Sequence, residues 1–244
     1  MSINVDEILK DGYLPTSSDK YFINEEYSMI FRDPEFKILG FIDNFMYVYT
    51  DNYVSKYTDN GKLISKIRLE IQHGTFDRNV SYMYLFCDKT VYKVSKNLDI
   101  EWEITLDDYI RFIKMDTVGN LFILFQNSRN ILKYNKDGKQ IMMLNVSDDT
   151  NTKIYRIYIS EGRSIMYIIG STFKNNSCEC FVHKYNLYKC ILMETMTICT
   201  IPNVLPNDET YEFTDIFVKG EYIYLKTKDT IQRVNLKLQP SWKM

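Results

Sequence analysis

NILKYNKDGKQIMMLNV, residues 130–146, reads as two short strands folded around a tight turn. An apolar run leads into Lys133-Tyr134, the polar stretch that follows carries the Asp137-Gly138 pair typical of hairpins, and a second apolar run closes the pattern. The pattern recurs as YVSKYTDNGKLISKIRL from Tyr53 and TVYKVSKNLDIEWEITL from Thr90. Weaker copies are FVHKYNLYKCILMETMTI from Phe181 and TIQRVNLKLQPSWKM from Thr230. Aligned on the basic residue, the copies sit at Lys56, Lys93, Lys133, Lys184 and Arg233, giving steps of 37, 40, 51 and 49 residues by subtraction.

A period of that size matches one four-stranded propeller blade, about 40–50 residues. Two further strand-like runs precede each copy. In the third unit they are IRFIKMD from Ile110 and NLFILFQ from Asn120, the second apolar throughout Leu121–Phe125 as a strand covered on both faces requires. The units read as 36–69, 80–106, 110–146, 153–198 and 211–244, with an expanded loop in the fourth at Ser171 to Ser177. The expected fold is therefore all-β, a β-propeller of about five four-stranded blades over residues 36–244. A β-sandwich or barrel is the competing reading; it accounts for the strands but not for the recurring hairpin.

Composition agrees. Among 244 residues there are 20 Tyr and 14 Phe and no alanine, a bias toward pleated, half-buried surfaces and away from helix. Net charge is −2, which supplies no overall field for nucleic acid or an anionic membrane. No apolar run reaches the roughly 18–20 residues that cross a bilayer, so no membrane insertion is expected. The start, MSINVDEILKDGYLP, lacks the basic and apolar regions of a secretory signal, and the expectation is synthesis in the cytoplasm. The five cysteines (Cys87, Cys178, Cys180, Cys190 and Cys199) are then expected to be reduced rather than a disulfide framework.

Residues 1–35 stand outside the repeat as an N-terminal arm. Asn4 and Glu7 have capping-box spacing, with Val5, Ile8 and Leu9 on one helical face, and YFINEEYSMIFRD beyond Pro15 reads as extended. The extended part either adds a strand to the last blade and closes the ring, or docks on a neighbouring protein.

The chain is poor in catalytic material. Of its two histidines, His73 falls in a polar connector, EIQHGTFD, and His183 in an outer strand. Neither has a nucleophile motif nearby, and nine glycines leave little scope for a phosphate-cradling loop. Cys178, Cys180, His183 and Cys190 invite a zinc reading, but on a strand Cys178 and Cys180 share a face that His183 does not, and Cys190 pairs near Tyr185, well along the hairpin. No metal and no cofactor is expected. Trp102 and Trp242 both fall nine positions after an anchor, which argues for packing rather than sugar stacking.

Charge placement is more informative. Connections between blades carry Asp107 and Asp108, Asp148 and Asp149, and Asp208 and Glu209, whereas the outer hairpin turns carry Lys62, Lys96, Lys136, Lys139, Lys189 and Lys237. These are either ordinary solvated turns or two opposed rims that orient the molecule between protein partners. The candidate partner-binding residues are thus Val5, Ile8 and Leu9 of the arm with the six acidic residues. The expected function is a non-enzymatic interaction module, the alternative being a glycan-binding or enzymatic propeller with a site on its axis, its ligand a cell-surface glycan in the first case.

The segment Asp116 to Lys139, DTVGNLFIL followed by NILKYNKDGK, resembles the NHL and PQQ-like propeller repeats. That likeness implies fold and not function. The alanine-free, Ile-, Asn- and Lys-rich composition resembles that of AT-rich genomes such as those of low-GC Gram-positive bacteria and their phages. A short propeller with a leading arm also resembles an accessory component of a phage tail, or of a phage-tail-like bacteriocin of a clostridial host. The resemblance implies a place in a baseplate or fibre-attachment region, with other subunits of the assembly as partners.

Overall fold

The computed structural model describes residues 37–50, 52–58, 61–76, 81–160, 164–174, 176–202, 215–219, 222–226 and 231–235. All regular structure among them is strand, arranged in five antiparallel sheets, each a meander in chain order. The first sheet is β1 (Lys37–Ile42), β2 (Phe45–Thr50), β3 (Tyr53–Thr58) and β4 (Leu63–Arg68). The second is β5 (His73–Phe76), β6 (Tyr82–Cys87), β7 (Thr90–Ser95) and β8 (Ile100–Thr105). The third is β9 (Ile110–Met115), β10 (Leu121–Phe125), β11 (Asn130–Tyr134) and β12 (Gln140–Asn145). The fourth is β13 (Thr152–Ser160), β14 (Ile165–Lys174), β15 (Ser177–Asn186) and β16 (Leu192–Pro202). The fifth contributes β17 (Asp215–Lys219), β18 (Tyr222–Lys226) and β19 (Ile231–Asn235). This is the repeating blade unit of a β-propeller, as the period of the anchors predicts.

Burial falls off across each blade in the same way. Second strands are almost wholly buried: β10 at every position, and β2 and β6 at all but their end residues. Fourth strands alternate half-buried with exposed positions in an identical pattern in β4, β8 and β12. Within each of these blades, burial is thus greatest at the second strand and least at the fourth. The turns use the residues the sequence offers. In the third blade Asn135 N–H donates to the Lys139 carbonyl at 2.9 Å, and Gly138 takes φ of 78°, which its missing Cβ permits.

The chain divides into two compact units, residues 1–105 and 106–244. In the first, β1 and β5 are neighbours, and Leu39, Ile42, Tyr47, Val54, Met83, Leu85, Val94 and Leu98 form one core. In the second, β9, β13 and β17 are successive neighbours. One core there centres on Phe122, Leu124, Ile157, Met166, Ile168 and Leu187, and another on Tyr155, Tyr167, Cys178, Cys180, Val182 and Ile223.

Three sequence expectations are corrected. His73 opens β5 rather than lying in a connector, so the second blade begins at 73 and not at 80. Ser171 to Ser177 is not an expanded loop: Ser171–Lys174 continue β14, and Ser177 starts β15. The extra length of the fourth blade goes into longer strands of 10, 10 and 11 residues, lined by hydroxyls that satisfy one another. Ser171, with no exposed surface, meets the Tyr155 hydroxyl at 2.7 Å, and the Thr152 and Thr172 hydroxyls lie 3.0 Å apart. Finally, Leu192 is the residue that pairs with Tyr185, while Cys190 sits in the turn with φ of 51°.

Candidate interaction surfaces

The anchor residues that reveal the repeat occupy equivalent places in β3, β7, β11, β15 and β19. Each lies directly opposite an aromatic residue of the second strand: Tyr47–Lys56, Tyr84–Lys93, Phe122–Lys133, Tyr167–Lys184 and Tyr224–Arg233. Lys56, Lys93 and Lys133 are buried, with their ammonium groups 4.1, 4.0 and 5.1 Å from the ring centroids of Phe45, Tyr82 and Phe122. Arg233 sits 4.7 Å from the Tyr222 ring, whereas Lys184 meets Glu194 at 3.4 Å. A buried ammonium needs such partners, because its desolvation is otherwise costly. The three buried bases therefore pack against rings of their own blades, and Lys56 also reaches the next blade.

Between the first two blades that contact is complete. Tyr47 Oη and Lys56 Nζ both donate to the Lys96 carbonyl oxygen in the β7–β8 turn, at 2.7 and 3.0 Å, and Lys96 Nζ lies 3.7 Å from Asp43. Burial, reinforced by the Asp43 carboxylate, pushes the Tyr47 phenol up to about 12. Between the third and fourth blades, Lys133 and Asp116 lie near Cys190 in the β15–β16 turn. Burial there pushes the Cys190 thiol up against the opposing pull of Lys133.

The acidic connections are engaged mainly in shaping their own turns. Asp108 Oδ1 accepts from Tyr109 N–H at 2.7 Å, and Asp148 Oδ1 accepts from the Asn145 amide at 2.6 Å. The Asp148 carbonyl accepts from Arg129 at 2.8 Å. Asp149 accepts from Asn151 N–H at 2.9 Å and faces Lys174 at 3.5 Å. Asp107 and Asp148 are nonetheless exposed. The meander order places these connections at the opposite end of each blade from the lysine-bearing hairpin turns. Those turns also hold Asp99 and Asp137, so they are mixed in charge. Val5, Ile8, Leu9, Asp208, Glu209, Lys237 and Trp242 lie outside the described residues. Trp102 packs edge-on against Tyr84, with centroids 5.7 Å apart.

Sequence reasoning missed a set of exposed apolar residues at the start of the fourth strands. Leu63 and Ile64 open β4, Ile100 opens β8, Ile141 and Met143 lie in β12, and Leu192 and Met193 open β16, all 43–60% exposed. The signal was present, since all but Met143 fall in the first two positions of their strands, but alternation alone does not say which face of an outer strand is covered.

No cluster of three or more metal-ligating side chains occurs among the described residues. His183 stacks on Phe181 with centroids 4.1 Å apart and shares a 2.9 Å hydrogen bond with the Thr195 hydroxyl. Burial lowers its pKa below the usual imidazole value.

No family model matches the chain, and no curated protein matches it. Among solved structures it is similar to the WD40 domain of Pan2 from Neurospora crassa, at 12% identity and a TM-score of 0.56, covering 88% of this chain and 66% of that one. It thus spans just under two thirds of that domain's length. Hsv2 from Kluyvelomyces marxianus gives 7% identity, a TM-score of 0.48 and coverage of 79% of this chain and 73% of that one. At such identities the Pan2 likeness carries fold alone, and that fold is the β-propeller that the sheets define.

Proposed function

We propose that the protein is a non-enzymatic interaction module that binds other proteins. The observation that carries this reading is the row of exposed Leu, Ile and Met residues on the fourth strands, because exposed large apolar side chains repeated at equivalent positions mark contact surfaces. The acidic pairs Asp107-Asp108, Asp148-Asp149 and Asp208-Glu209 set orientation through complementary charge. The arm, residues 1–35, contributes Val5, Ile8 and Leu9, and the blades occupy 36–244. The finer setting is an accessory subunit in the baseplate or fibre-attachment region of a phage tail or tail-like particle, and it rests on composition and the leading arm alone.

The test is purification of the tagged protein from its native cells, with native mass measurement of what accompanies it. Paired variants Leu63→Glu/Ile64→Glu and Ile141→Glu/Met143→Glu are expected to release the partner, Asp107→Asn/Asp148→Asn to weaken it and flatten its salt dependence, and deletion of residues 1–30 to weaken it further. Retention of the partner by all of these refutes the reading. Binding to a glycan array by the isolated protein favours the lectin alternative.

A further inference from the structure

Among the described strands, β4, β8, β12 and β16 each pair on one side only, which leaves each with an open edge. An open edge invites another chain, and charged residues or bulges are what blunt it. β4, β8 and β12 carry the same bulge, just past the anchor base, so bulging does not set them apart. Charge does. β4 exposes Lys66 and Arg68 and β8 exposes Glu101 and Glu103, whereas β12 has no charged residue. The contrast is sharpest one place beyond the residue that faces the anchor: Lys66 in β4, Glu103 in β8, Thr195 in β16 and Met143 in β12. Lys66 lies over the Tyr53 ring at 3.6 Å and Thr195 is bonded to His183, while Met143 is 60% exposed beside an exposed Ile141.

The backbone at Met143 is turned outward as well. Val146 N–H donates to the Arg129 carbonyl oxygen at 3.0 Å, and Met143 lies opposite Leu132. By the alternation of an antiparallel ladder, Met143 and Asn145 therefore point their N–H and C=O groups away from β11. We propose that β12 pairs antiparallel with β12 of a second copy of this chain, around a twofold axis at Met143. In that register Met143 faces Met143 of the second copy and exchanges two backbone hydrogen bonds with it, and Ile141 faces the second copy's Asn145. Such a pairing sets one patch against itself. At β4 it would oppose Lys66 to Lys66, and at β8 Glu103 to Glu103, and like charges directly opposite are destabilising. Of these three edges, β12 alone suits its own copy. Its Met142 and Leu144 pack against the core of the second unit, so the new joint covers Ile141 and Met143 without disturbing that core. The proposal rests on reading the exposed fourth-strand residues as contact surfaces, and it names the partner of one of them.

The experiment measures sedimentation and native mass of the purified full chain, alone, from low to high micromolar concentration. The wild type is expected to reach twice the monomer mass. Met143→Lys and Met143→Glu, each by itself, are expected to weaken self-association about tenfold or more. An equimolar mixture of the two is expected to restore a one-to-one dimer, because the opposed residues then carry opposite charges. Met193→Lys, which alters a methionine 57% exposed in β16, is expected to leave the dimer intact. Circular dichroism confirms that each variant is folded. A monomeric wild type, variants that dimerise undiminished, a mixture that stays monomeric, or loss of the dimer in Met193→Lys overturns the proposal. If the wild type is monomeric while Leu63→Glu/Ile64→Glu still releases a partner from native cells, self-pairing fails and the interaction-module reading stands.

Discussion

Tyr47 Oη and Lys56 Nζ share one acceptor, the Lys96 carbonyl oxygen of the next blade, at 2.7 and 3.0 Å. The two donors are themselves cross-strand partners, so one turn of the second blade is held by two side chains of the first. Replacing Lys56 with Met removes a charge-assisted hydrogen bond and an ammonium–ring contact, but also the cost of burying the ammonium. The expected loss is about 1–2 kcal/mol. Tyr47→Phe is expected to cost about 1 kcal/mol, and the two losses to be non-additive because the acceptor is common. Urea unfolding of the single and double variants checks this.

Tyr47 also predicts an alkaline signature. Its phenol is raised from 10.0 to about 12 by burial and by Asp43, so between those values the unfolded chain releases a proton that the folded chain keeps. This contribution to stability is fully present below pH 10 and is lost as pH rises toward 12. Absorbance titration at alkaline pH is expected to show a late-ionising tyrosine that disappears in Tyr47→Phe, whose stability falls less steeply over the same range. Identical late components in both proteins would rule the assignment out.

The anchors explain why the blade period was legible. Lys56, Lys93, Lys133, Lys184 and Arg233 each face an aromatic of the second strand, and such a pair must recur wherever the blade recurs. What these anchors touch in the next blade was not legible, because the Lys96 carbonyl enters through tertiary packing and carries no sequence mark. His73 failed for a different reason. Its neighbours Gln72, Gly74 and Thr75 look polar, yet Gly74 and Thr75 are buried in an inner strand of only four residues, too short to show alternation. The run Ser171 to Ser177 misled by composition, since hydroxyls that bond each other across strands read like loop residues. At the candidate surfaces, the acidic connections were visible as charge, while the exposed apolar row needed the burial pattern.

Gly170 supplies a packing prediction. A Cβ there would meet the Lys153 carbonyl oxygen at 2.5 Å and the Phe181 ring at 2.5 Å. The oxygen belongs to a paired strand and cannot yield without breaking the β13–β14 register, in which Gly170 faces Ile154 beside a bulge. Gly170→Ala is therefore expected to destabilise the fourth blade by about 1–3 kcal/mol, despite the usual gain from removing a glycine. Hydrogen exchange localises the effect, with amides of β13–β15 losing protection while those of β1–β4 keep theirs. Uniform protection in the variant would show that the contact relaxes freely.

His183 sets an acid limit on the same blade. Burial between Phe181 and Tyr185 lowers its pKa below 6.5, and Lys184 adjoins it in sequence, its ammonium near Glu194. With the folded pKa below the unfolded one, both states are neutral above 6.5 and the group makes no difference there. As pH falls through 6.5 the unfolded chain takes up a proton that the folded chain resists, so stability drops until pH passes the folded pKa. Imidazole proton resonances followed by NMR are expected to titrate with a midpoint below 6.5. His183→Gln, which keeps a hydrogen-bonding partner for the Thr195 hydroxyl, is expected to lose less stability than the wild type between pH 7 and pH 5. A midpoint at or above 6.5 would mean that the stacked ring is open to solvent, and with it the outer face of β15.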